Sequence, residues 1–485
     1  MKENFKKSDL IRVAPGIFEI PKSFRADMRV PARIFVDEQM LDKICLDSSL
    51  WQIVNVASLP GIQKYAIAMP DVHEGYGFPI GGVAAMAVNE GGVISPGGIG
   101  YDINCGVRLL ASNLTLSDIH SKLALLAQRL FQAVPSGTGR GGALRLGDAQ
   151  LERYLVKGAQ QAVANGFGNS DDLSHCEEEG CFLGADATCI SARAKERGRD
   201  QLGTLGSGNH FMEVQVVDEI FDEHAAGIFG LVPGRITVMI HCGSRGLGHQ
   251  VCTDYVAQML SNQTAFGIKL ADRQLACAPM SSSIGQAYFA AMKGAANFAF
   301  ANRHIIGHQV RSIWQELFGH DEIIKTVYDV CHNVGKIEFH EIDGARKELI
   351  VHRKGATRAF GPGHPNIPQS HRSIGQCVLI PGTMGTASYV LSGASTGMDN
   401  AFGSCCHGAG RAMSRMAAKK SVSGRILRDD LKARGIVVQS DSDRGLAEEA
   451  PSAYKDIEQV VHVVESTGLA RRVARLRPVA VIKGD

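Results

Sequence analysis

Apolar positions with helical spacing are clearest between residues 117 and 131. Leu123, Leu126 and Leu130 recur there three or four positions apart, which predicts an amphipathic helix whose N-cap is Ser117. The same kind of spacing predicts two more helices, near residues 149–165 and over residues 284–318. The chain therefore contains several long helical segments.

Short runs rich in β-branched residues predict strands elsewhere. Such runs, bounded by glycine or proline, occupy residues 236–240, 348–351, 377–380 and 479–482. Because they do not alternate regularly with the helices, the pattern favours an α+β fold over a doubly wound sheet. We expect a single large mixed catalytic domain over residues 1–485, with β-sheets flanked by helices.

Charge is nearly balanced along the 485 residues. Lys and Arg number 51 against 49 Asp and Glu, which leaves a formal net charge of +2. No global positive field therefore marks a nucleic-acid-binding protein, and any such site must be a local patch. The 55 glycines, beside an aromatic share of only 6%, indicate many tight turns and close backbone approaches.

The chain shows neither a secretory leader nor a membrane span. Its first residues carry positive charge without an apolar segment behind them, and no apolar run approaches the length of a bilayer. The 12 cysteines are scattered rather than spaced as a disulfide scaffold. We expect a cytoplasmic protein with reduced thiols and no membrane partner.

Several polar residues share one setting, in which an apolar strand gives way to a glycine-rich turn. His241 follows the strand at 236–240, and four other residues lie in comparable surroundings: Asp102, Cys105, His210 and His332. Each alone is compatible with a hydrogen-bonded core residue, but together they make a plausible metal set. From the donor chemistry alone, zinc or iron would be as acceptable as manganese.

Two patterns that resemble metal motifs are discounted. His304 and His308 stand four apart on one predicted helical face, but no third ligand is evident nearby. Residues 71–74 (DVHE) cannot form a helical metalloprotease motif, because Gly75, Gly77 and Pro79 interrupt a helix.

Two basic segments are candidates for phosphate contacts. Residues 352–358 (HRKGATR) combine three cations with a glycine and a threonine at the end of a strand, which suits anion binding. The second group precedes the last strand and consists of Arg471, Arg472, Arg475 and Arg477; charge of this kind is more often a solvated face.

Six long stretches together resemble the RtcB family of RNA-splicing ligases. They are residues 69–82 (MPDVHEGYGFPIGG), 97–108 (GGIGYDINCGVR), 202–213 (LGTLGSGNHFME), 241–248 (HCGSRGLG), 352–360 (HRKGATRAF) and 402–411 (FGSCCHGAGR). The resemblance covers essentially the whole chain. Thr383 stands where the family commonly has serine and Cys405 where it commonly has alanine.

The resemblance implies a GTP-dependent RNA ligase for tRNA splicing or RNA repair. It implies joining of 3′-phosphate or 2′,3′-cyclic phosphate ends to 5′-hydroxyl ends through a histidine-GMP intermediate and an RNA-ppG end. Two Mn²⁺ ions and GTP are the implied cofactors. RNA, with tRNA halves as the expected form, and a helper protein of the archease type are the implied partners.

The resemblance also implies roles for individual residues. It makes His407 the residue that becomes guanylylated, although the neighbouring Cys406 offers an intrinsically better nucleophile. The implied metal ligands are Asp102, Cys105, His210, His241 and His332. The implied nucleotide contacts are Asn209, His210, Phe211, Met212, Glu213, His332, Asn333, Pro381, Gly382, Thr383, Met384, Ser388, His407, Gly408, Ala409, Gly410, Tyr454 and Lys483.

Two alternative functions remain open at this stage. One is a metal-dependent nucleic-acid phosphodiesterase, or an enzyme that stops at the guanylylated 3′ end. The other is a non-catalytic RNA-binding or chaperone module that uses the basic segments alone. Sealed RNA product distinguishes the ligase from the first alternative, and a covalent nucleotide distinguishes it from the second.

Overall fold

The computed structural model describes residues 5–137, 141–142 and 144–484. Its strands are β1 (Ile11–Ala14), β2 (Ile17–Ile20), β3 (Ala32–Phe35), β4 (Ile62–His73), β5 (Ile80–Ala87), β6 (Val93–Ile94), β7 (Gly106–Thr115), β8 (Phe211–Ile220), β9 (Arg235–Cys242), β10 (Ala278–Pro279), β11 (Ile324–Cys331), β12 (Asn333–Ile342), β13 (Ala345–Lys354), β14 (Ala356–Arg358), β15 (Cys377–Ile380), β16 (Ser388–Gly393), β17 (Ser404–Cys406), β18 (Val437–Ser440) and β19 (Ala470–Lys483).

Its α-helices are α1 (Glu38–Cys45), α2 (Ser49–Val56), α3 (Leu116–Ile119), α4 (Leu123–Ala133), α5 (Asp148–Ala164), α6 (Asp171–Ser174), α7 (Ala192–Gly198), α8 (Glu223–Phe229), α9 (Arg245–Ser261), α10 (Ser283–Phe318), α11 (Ser395–Ala401), α12 (Arg415–Ser421), α13 (Gly424–Ala433), α14 (Asp443–Glu448) and α15 (Ile457–Ser466).

Two large sheets organise these elements. A seven-stranded sheet has the order β1-β2-β3-β4-β5-β13-β12, and an eight-stranded sheet has the order β11-β7-β9-β8-β19-β16-β15 with β18 beside β19. Neighbouring strands pair antiparallel except β3 with β4 and β18 with β19. A doubly wound fold would have a mainly parallel sheet, so the predicted α+β class is confirmed. That residues 1–485 form one domain stays a prediction.

Helix α10 is the main support of the second sheet. It is 36 residues long, its middle section is buried, and it packs against α4, α5 and α9. The side-chain oxygen of Asn302 accepts hydrogen bonds from the backbone N–H groups of Gly203 and Thr204, at 2.8 and 3.1 Å. The helix thereby fixes the loop that leads into β8.

The predicted helix over residues 117–131 differs from the structure at its start. Asp118 accepts hydrogen bonds from the backbone N–H and the hydroxyl of Thr115, so α3 begins one residue before Ser117 and the predicted N-cap is wrong. A tighter turn at His120–Lys122 then separates α3 from α4. The leucines on the predicted apolar face are all buried, as expected from their spacing.

The other predicted elements are present, with one interruption. Helix α5 is kinked at Gly158, where φ is +54°. A Cβ at this position would lie 2.3 Å from the carbonyl oxygen of Gly180, so only glycine fits the contact. The predicted helix over 284–318 and the four predicted strands are confirmed, and β19 extends its strand to 14 residues.

Among the residues that the structure describes, no helix is both long enough and apolar enough to cross a membrane.

A buried ion cluster connects α10 to the second sheet. The Asp329 carboxylate in β11 accepts hydrogen bonds from Arg303 of α10 and from Arg108 of β7, and all three side chains are fully buried. Arg303 also donates to the backbone carbonyl oxygens of Asn104 and Cys242, at 2.7 and 2.9 Å. One guanidinium therefore joins three separate segments of chain.

We expect Asp329→Asn to lower the free energy of unfolding by about 3–5 kcal/mol, because it leaves two buried guanidinium groups without their counter-charge. The exposed pair Arg129–Glu316 provides the matched control, since Glu316→Gln should change stability by less than about 1 kcal/mol. Thermal unfolding followed by circular dichroism measures both. Equal shifts in the two variants would contradict the structural role of the cluster.

Candidate active site

Four neighbouring strands of the eight-stranded sheet end at one edge. Gly106, the first residue of β7, lies opposite both Cys242 at the end of β9 and Cys331 at the end of β11. Phe211, the first residue of β8, lies opposite His241. Antiparallel pairing therefore brings the starts of β7 and β8 to the ends of β9 and β11. The predicted metal ligands lie at these ends: Asp102 and Cys105 before β7, His210 before β8, His241 in β9 and His332 after β11.

The Cys105 thiol belongs to two groups of potential ligands. It forms one group with His241 and His332 and a second with Asp102 and His210, and in each group the donor atoms lie within 4.8 Å of one another. Its Sγ atom is 3.3 Å from Nε2 of His210 and 3.2 Å from Nε2 of His241. The structure thus brings the five predicted ligands together as two triads that share one thiol.

The donor set fits a bound cation. Nε2 of His241 lies 3.2 Å from Nε2 of His332, while the buried Nδ1 atom of each ring has no hydrogen-bond partner. Burial lowers the pKa of both imidazoles well below the usual value, and the neighbouring His210 and His407 act in the same direction. Neutral rings whose nitrogen lone pairs converge are the arrangement that metal ions occupy.

The acidic members of the cluster differ in protonation. Burial opposes ionisation of Asp102, but the charge of His210 and hydrogen bonds from His210 and Cys105 outweigh it and lower its pKa to about 2. Burial and the Asp102 charge raise the pKa of Cys105 to about 12. A cation that binds here must displace the thiol proton, so binding should release protons and strengthen with pH.

A second pair of side chains lies beside this cluster. Nδ1 of His407 is 2.6 Å from Oδ2 of Asp71, which also accepts the His407 backbone N–H at 3.1 Å. An ionised carboxylate can only accept, so Nδ1 carries a proton and Asp71 does not engage Nε2. The His407 ring centre is 4.8 Å from that of His332.

Strand pairing holds His407 in this position. Cys406, the last residue of β17, pairs with Ala356 of β14, and the Ala356 N–H donates to the carbonyl oxygen of His332 at 3.0 Å. Gly410 follows in the same loop with φ of +74°, and a Cβ there would lie 2.1 Å from the carbonyl oxygen of Asp71. Glycine at 410 is therefore required by the close approach of the Asp71 segment.

These side chains line a cavity of about 410 Å³. Most of the predicted nucleotide contacts are on its wall: Asn209, Phe211, Glu213, His332, Asn333, Pro381, Gly382, Thr383, Met384, His407, Gly408, Ala409, Gly410, Tyr454 and Lys483. Burial raises the pKa of Glu213 to about 8 and lowers the pKa of Lys483. The structure thus brings into one cavity residues as far apart in the sequence as Asn209 and Lys483.

Three predicted nucleotide contacts do not line the cavity. His210 is the one member of the ligand cluster that does not line it. Met212 is fully buried with the apolar residues on the other face of β8, as the alternation of side chains along a strand requires. The Ser388 hydroxyl accepts hydrogen bonds from Gly382 N–H and Gln215, both at 3.1 Å, and so supports the wall from outside.

The sequence did not single out Asp71. Residues 71–74 show only an interrupted resemblance to a metalloprotease motif, and the family stretch 69–82 contains this acid without giving it a role. Lys455 steadies this segment, because its Nζ donates to the backbone carbonyls of Pro70 and Val72 on either side of Asp71. The pairing of Asp71 with His407 spans 336 positions and has no local sequence signature.

The prediction of an anion site at residues 352–358 is largely wrong. Arg353 is buried between Glu338 and the Ser404 hydroxyl, and Arg358 is buried against Glu177 and Glu178. Their charges are already neutralised, so they serve the fold. Lys354 alone of the three cations lines the cavity, and burial lowers its pKa to about 7.

The arginines of the second basic segment, at residues 471–477, make contacts within the fold. Arg475 and Arg477 pair with Asp218 and Arg472 pairs with Glu465, whereas Arg471 donates to the carbonyl of Ile374.

The structure supports the exclusion of His304 and His308 as metal ligands. The His304 ring hydrogen-bonds to the backbone of Phe167, and the His308 ring hydrogen-bonds to the backbone of Gly168.

The α+β fold and this cluster define a class of protein with a buried Cys/His/Asp site that could hold metal ions at the wall of a cavity. A family model described as tRNA-splicing ligase RtcB matches residues 52–484. The protein belongs to the RtcB family, as its sequence motifs predicted, and the family membership supports a ligase that acts on RNA.

Relatives in this family match the chain over most of its length. The tRNA-splicing ligase RtcB of Archaeoglobus fulgidus is 53% identical over 470 residues, which cover 96% of this chain and 97% of that protein. That of Thermococcus kodakarensis is 53% identical over 482 residues, covering 99% and 98%. The RNA-splicing ligase RtcB of Mycobacterium tuberculosis is 52% identical over 435 residues, covering 89% and 100%.

We expect Cys105→Ser to weaken the binding of Mn²⁺ at both triads, because the thiol is common to them. Titration of metal-free protein with Mn²⁺ in a calorimeter measures the affinity and the stoichiometry. The buried thiol of Cys252, which belongs to neither triad, provides the control variant Cys252→Ala. Unchanged Mn²⁺ binding by Cys105→Ser would contradict the assignment of Cys105 as a shared ligand.

Proposed function

We propose that the protein is a GTP-dependent RNA ligase that joins 3′-phosphate or 2′,3′-cyclic phosphate ends to 5′-hydroxyl ends. The observation that carries this proposal is the His407–Asp71 pair, which leaves an imidazole Nε2 free beside a cluster able to hold cations. Family membership gives the ligase class, and the geometry of His407 supports the covalent step.

In the first step, His407 attacks GTP. Its Nε2 lone pair forms a bond to the α-phosphorus, while the bond from that phosphorus to the bridging oxygen breaks and pyrophosphate leaves. The Asp71 carboxylate accepts a hydrogen bond from Nδ1–H throughout, which fixes the ring tautomer and stabilises the positive charge that develops on the ring.

In the second step, the RNA takes the nucleotide from His407. An oxygen of the RNA 3′-phosphate attacks the phosphorus, the P–N bond breaks, and an RNA-ppG end forms with His407 regenerated. The 5′-hydroxyl of the other strand then attacks the 3′-phosphorus, GMP leaves, and the hydroxyl proton passes to solvent. A 2′,3′-cyclic end must first be hydrolysed to the 3′-phosphate.

Asp102, Cys105, His210, His241 and His332 would hold two Mn²⁺ ions in this proposal. When bound, the ions neutralise the triphosphate and align the attacking and leaving groups. Lys354 and Lys483 add basic groups to the same wall, and Glu449 offsets Arg411 and Arg415 at its rim. The chain's own residues thus supply both the nucleophile and a preorganised polar surface.

The wider setting also rests on the family. We infer that tRNA halves are the RNA substrates, that the reaction takes place in the cytoplasm, and that an archease-type protein acts as a helper. Residues 1–485 would act as one catalytic domain. The nucleotide would lie against Asn209, Phe211 and Glu213 and against the loops at residues 381–384 and 407–410, which line the cavity together.

We expect wild-type protein incubated with α-labelled GTP and Mn²⁺ to retain label after denaturation, and His407→Ala to retain none. Gel autoradiography measures the adduct, and joining of 3′-phosphate and 5′-hydroxyl RNA strands measures ligation. Label in the absence of sealed RNA would favour an enzyme that stops at guanylylation. Label on His407→Ala would exclude His407 as the nucleophile.

We expect Asp71→Asn to slow guanylylation by about 10²- to 10⁴-fold, because an amide in place of the carboxylate can select the wrong imidazole tautomer and cannot balance its charge. Single-turnover label transfer at saturating GTP measures the rate. Asp42→Asn, on the exposed side of α1, is the control and should be near wild type. A wild-type rate for Asp71→Asn would remove Asp71 from the mechanism.

A further inference from the structure

Part of the cavity wall has no role in the steps described above. The predicted nucleotide contacts and the ligand cluster account for most of it. The part that neither accounts for includes Tyr76, Ile80, Gly100 and Tyr101. A ligase must place RNA ends at the same centre as the nucleotide, so this unassigned side is where an RNA end has room to lie.

Three aromatic rings form a continuous series on this side. The ring centres of Tyr76 and Tyr101 are 5.3 Å apart, with the planes at 62°. Those of Tyr101 and His249 are 4.7 Å apart, with the planes at 28°. The two tyrosines are half-buried and line the cavity, whereas His249 is exposed. The series therefore leads from the reaction centre to the surface.

The loops that carry the tyrosines are held firmly. Lys354 Nζ donates to the carbonyl oxygens of Tyr76 and Phe78, and Gly77 N–H donates to the side-chain oxygen of Gln274 at 2.9 Å. A Cβ on Gly77 would lie 2.4 Å from the Gln274 carbonyl oxygen, so this loop has no room to shift. Rings fixed before binding lose little entropy when a ligand stacks on them.

Tyr101 is also tied to the reaction centre. It directly precedes Asp102, whose carbonyl oxygen accepts a hydrogen bond from the side chain of Asn333 at 3.0 Å. A nucleobase stacked on Tyr101 would therefore belong to a nucleotide at or next to the reacting end. Aromatic rings bind bases of any identity through their faces, which suits an enzyme that must join ends of differing sequence.

We propose that Tyr76, Tyr101 and His249 form a stacking platform for the nucleobases of an RNA strand whose end lies at the reaction centre. This inference rests on the proposed ligase function and adds to it the side of the cavity that receives RNA. The occupant is single-stranded RNA, bound through base stacking and not through recognition of base edges.

The test uses 2-aminopurine, a fluorescent base that is quenched when it stacks. Full-length protein with Mn²⁺ is titrated with two short RNA probes. One is a 3′-phosphate strand labelled at its 3′-terminal nucleotide, and the other is a 5′-hydroxyl strand labelled near its 5′ end. We expect wild-type protein to quench at least one probe, and the probe that is quenched identifies the strand on the platform.

We expect Tyr101→Ala to lose the quenching and to bind that probe about 5- to 100-fold more weakly, the range expected for loss of one base–aromatic stack. Tyr101→Phe keeps the ring and should restore both. Tyr65→Ala is the matched control, because Tyr65 is also half-buried but stacks under Arg33 away from the cavity. Guanylylation by GTP alone is measured in the same variants, and a stacking role for Tyr101 predicts a smaller loss of label transfer than of probe binding.

Three results would overturn the platform. They are no quenching of either probe by wild-type protein, quenching retained by Tyr101→Ala, or an equal loss of guanylylation, which would place the effect at the nucleotide or the ligand cluster. Failure of the ligase proposal would appear separately, as absent label transfer and absent sealing by wild-type protein. Quenching requires no chemistry and so distinguishes the two failures.

Discussion

The buried contact between Arg303 and Asp329 is the constraint on which the site depends. Arg303 reaches from α10 to the carboxylate of Asp329 and to the carbonyl oxygens of Asn104 and Cys242. Those carbonyls belong to the residues next to Cys105 and His241, and Asp329 lies three positions before His332. One planar guanidinium, with donors in a fixed fork, therefore sets the relative positions of three segments that carry ligand atoms.

The same contact explains why the cluster can be so polar and so deeply buried. On flexible loops these ligand atoms would move apart. Facing nitrogen lone pairs repel one another, and neither they nor the thiol would have all of their hydrogen bonds satisfied. Here the strand ends cannot separate without breaking a fully buried ion pair, which costs several kcal/mol. The fold thus holds close together a set of polar groups that a bound cation would stabilise.

The sequence predicted those parts of the fold and site that have local signatures. The apolar spacing of α10 and the β-branched run of β9 are properties of adjacent residues, and the strand-to-glycine setting identified the Cys105 and His241 region. The pairing of Asp71 with His407 depends on β4 and the β17 loop meeting in space, which no local pattern encodes. The prediction of an anion site at residues 352–358 is largely wrong for a similar reason, because the acids that neutralise Arg353 and Arg358 are distant in sequence.

The side chains of residues 405–407 lie in different environments, although the residues are adjacent in the sequence. Cys405 and Cys406 lie within β17, paired with β14, and neither is exposed. Burial, followed by the neighbouring Cys405, raises the pKa of Cys406 well above its usual value, so the thiolate that would act as nucleophile is suppressed. His407 follows the end of the strand, lines the cavity and has its Nδ1 engaged by Asp71. Of the three side chains, only that of His407 lines the cavity, which supports the proposal that access outweighs intrinsic reactivity in the choice of nucleophile.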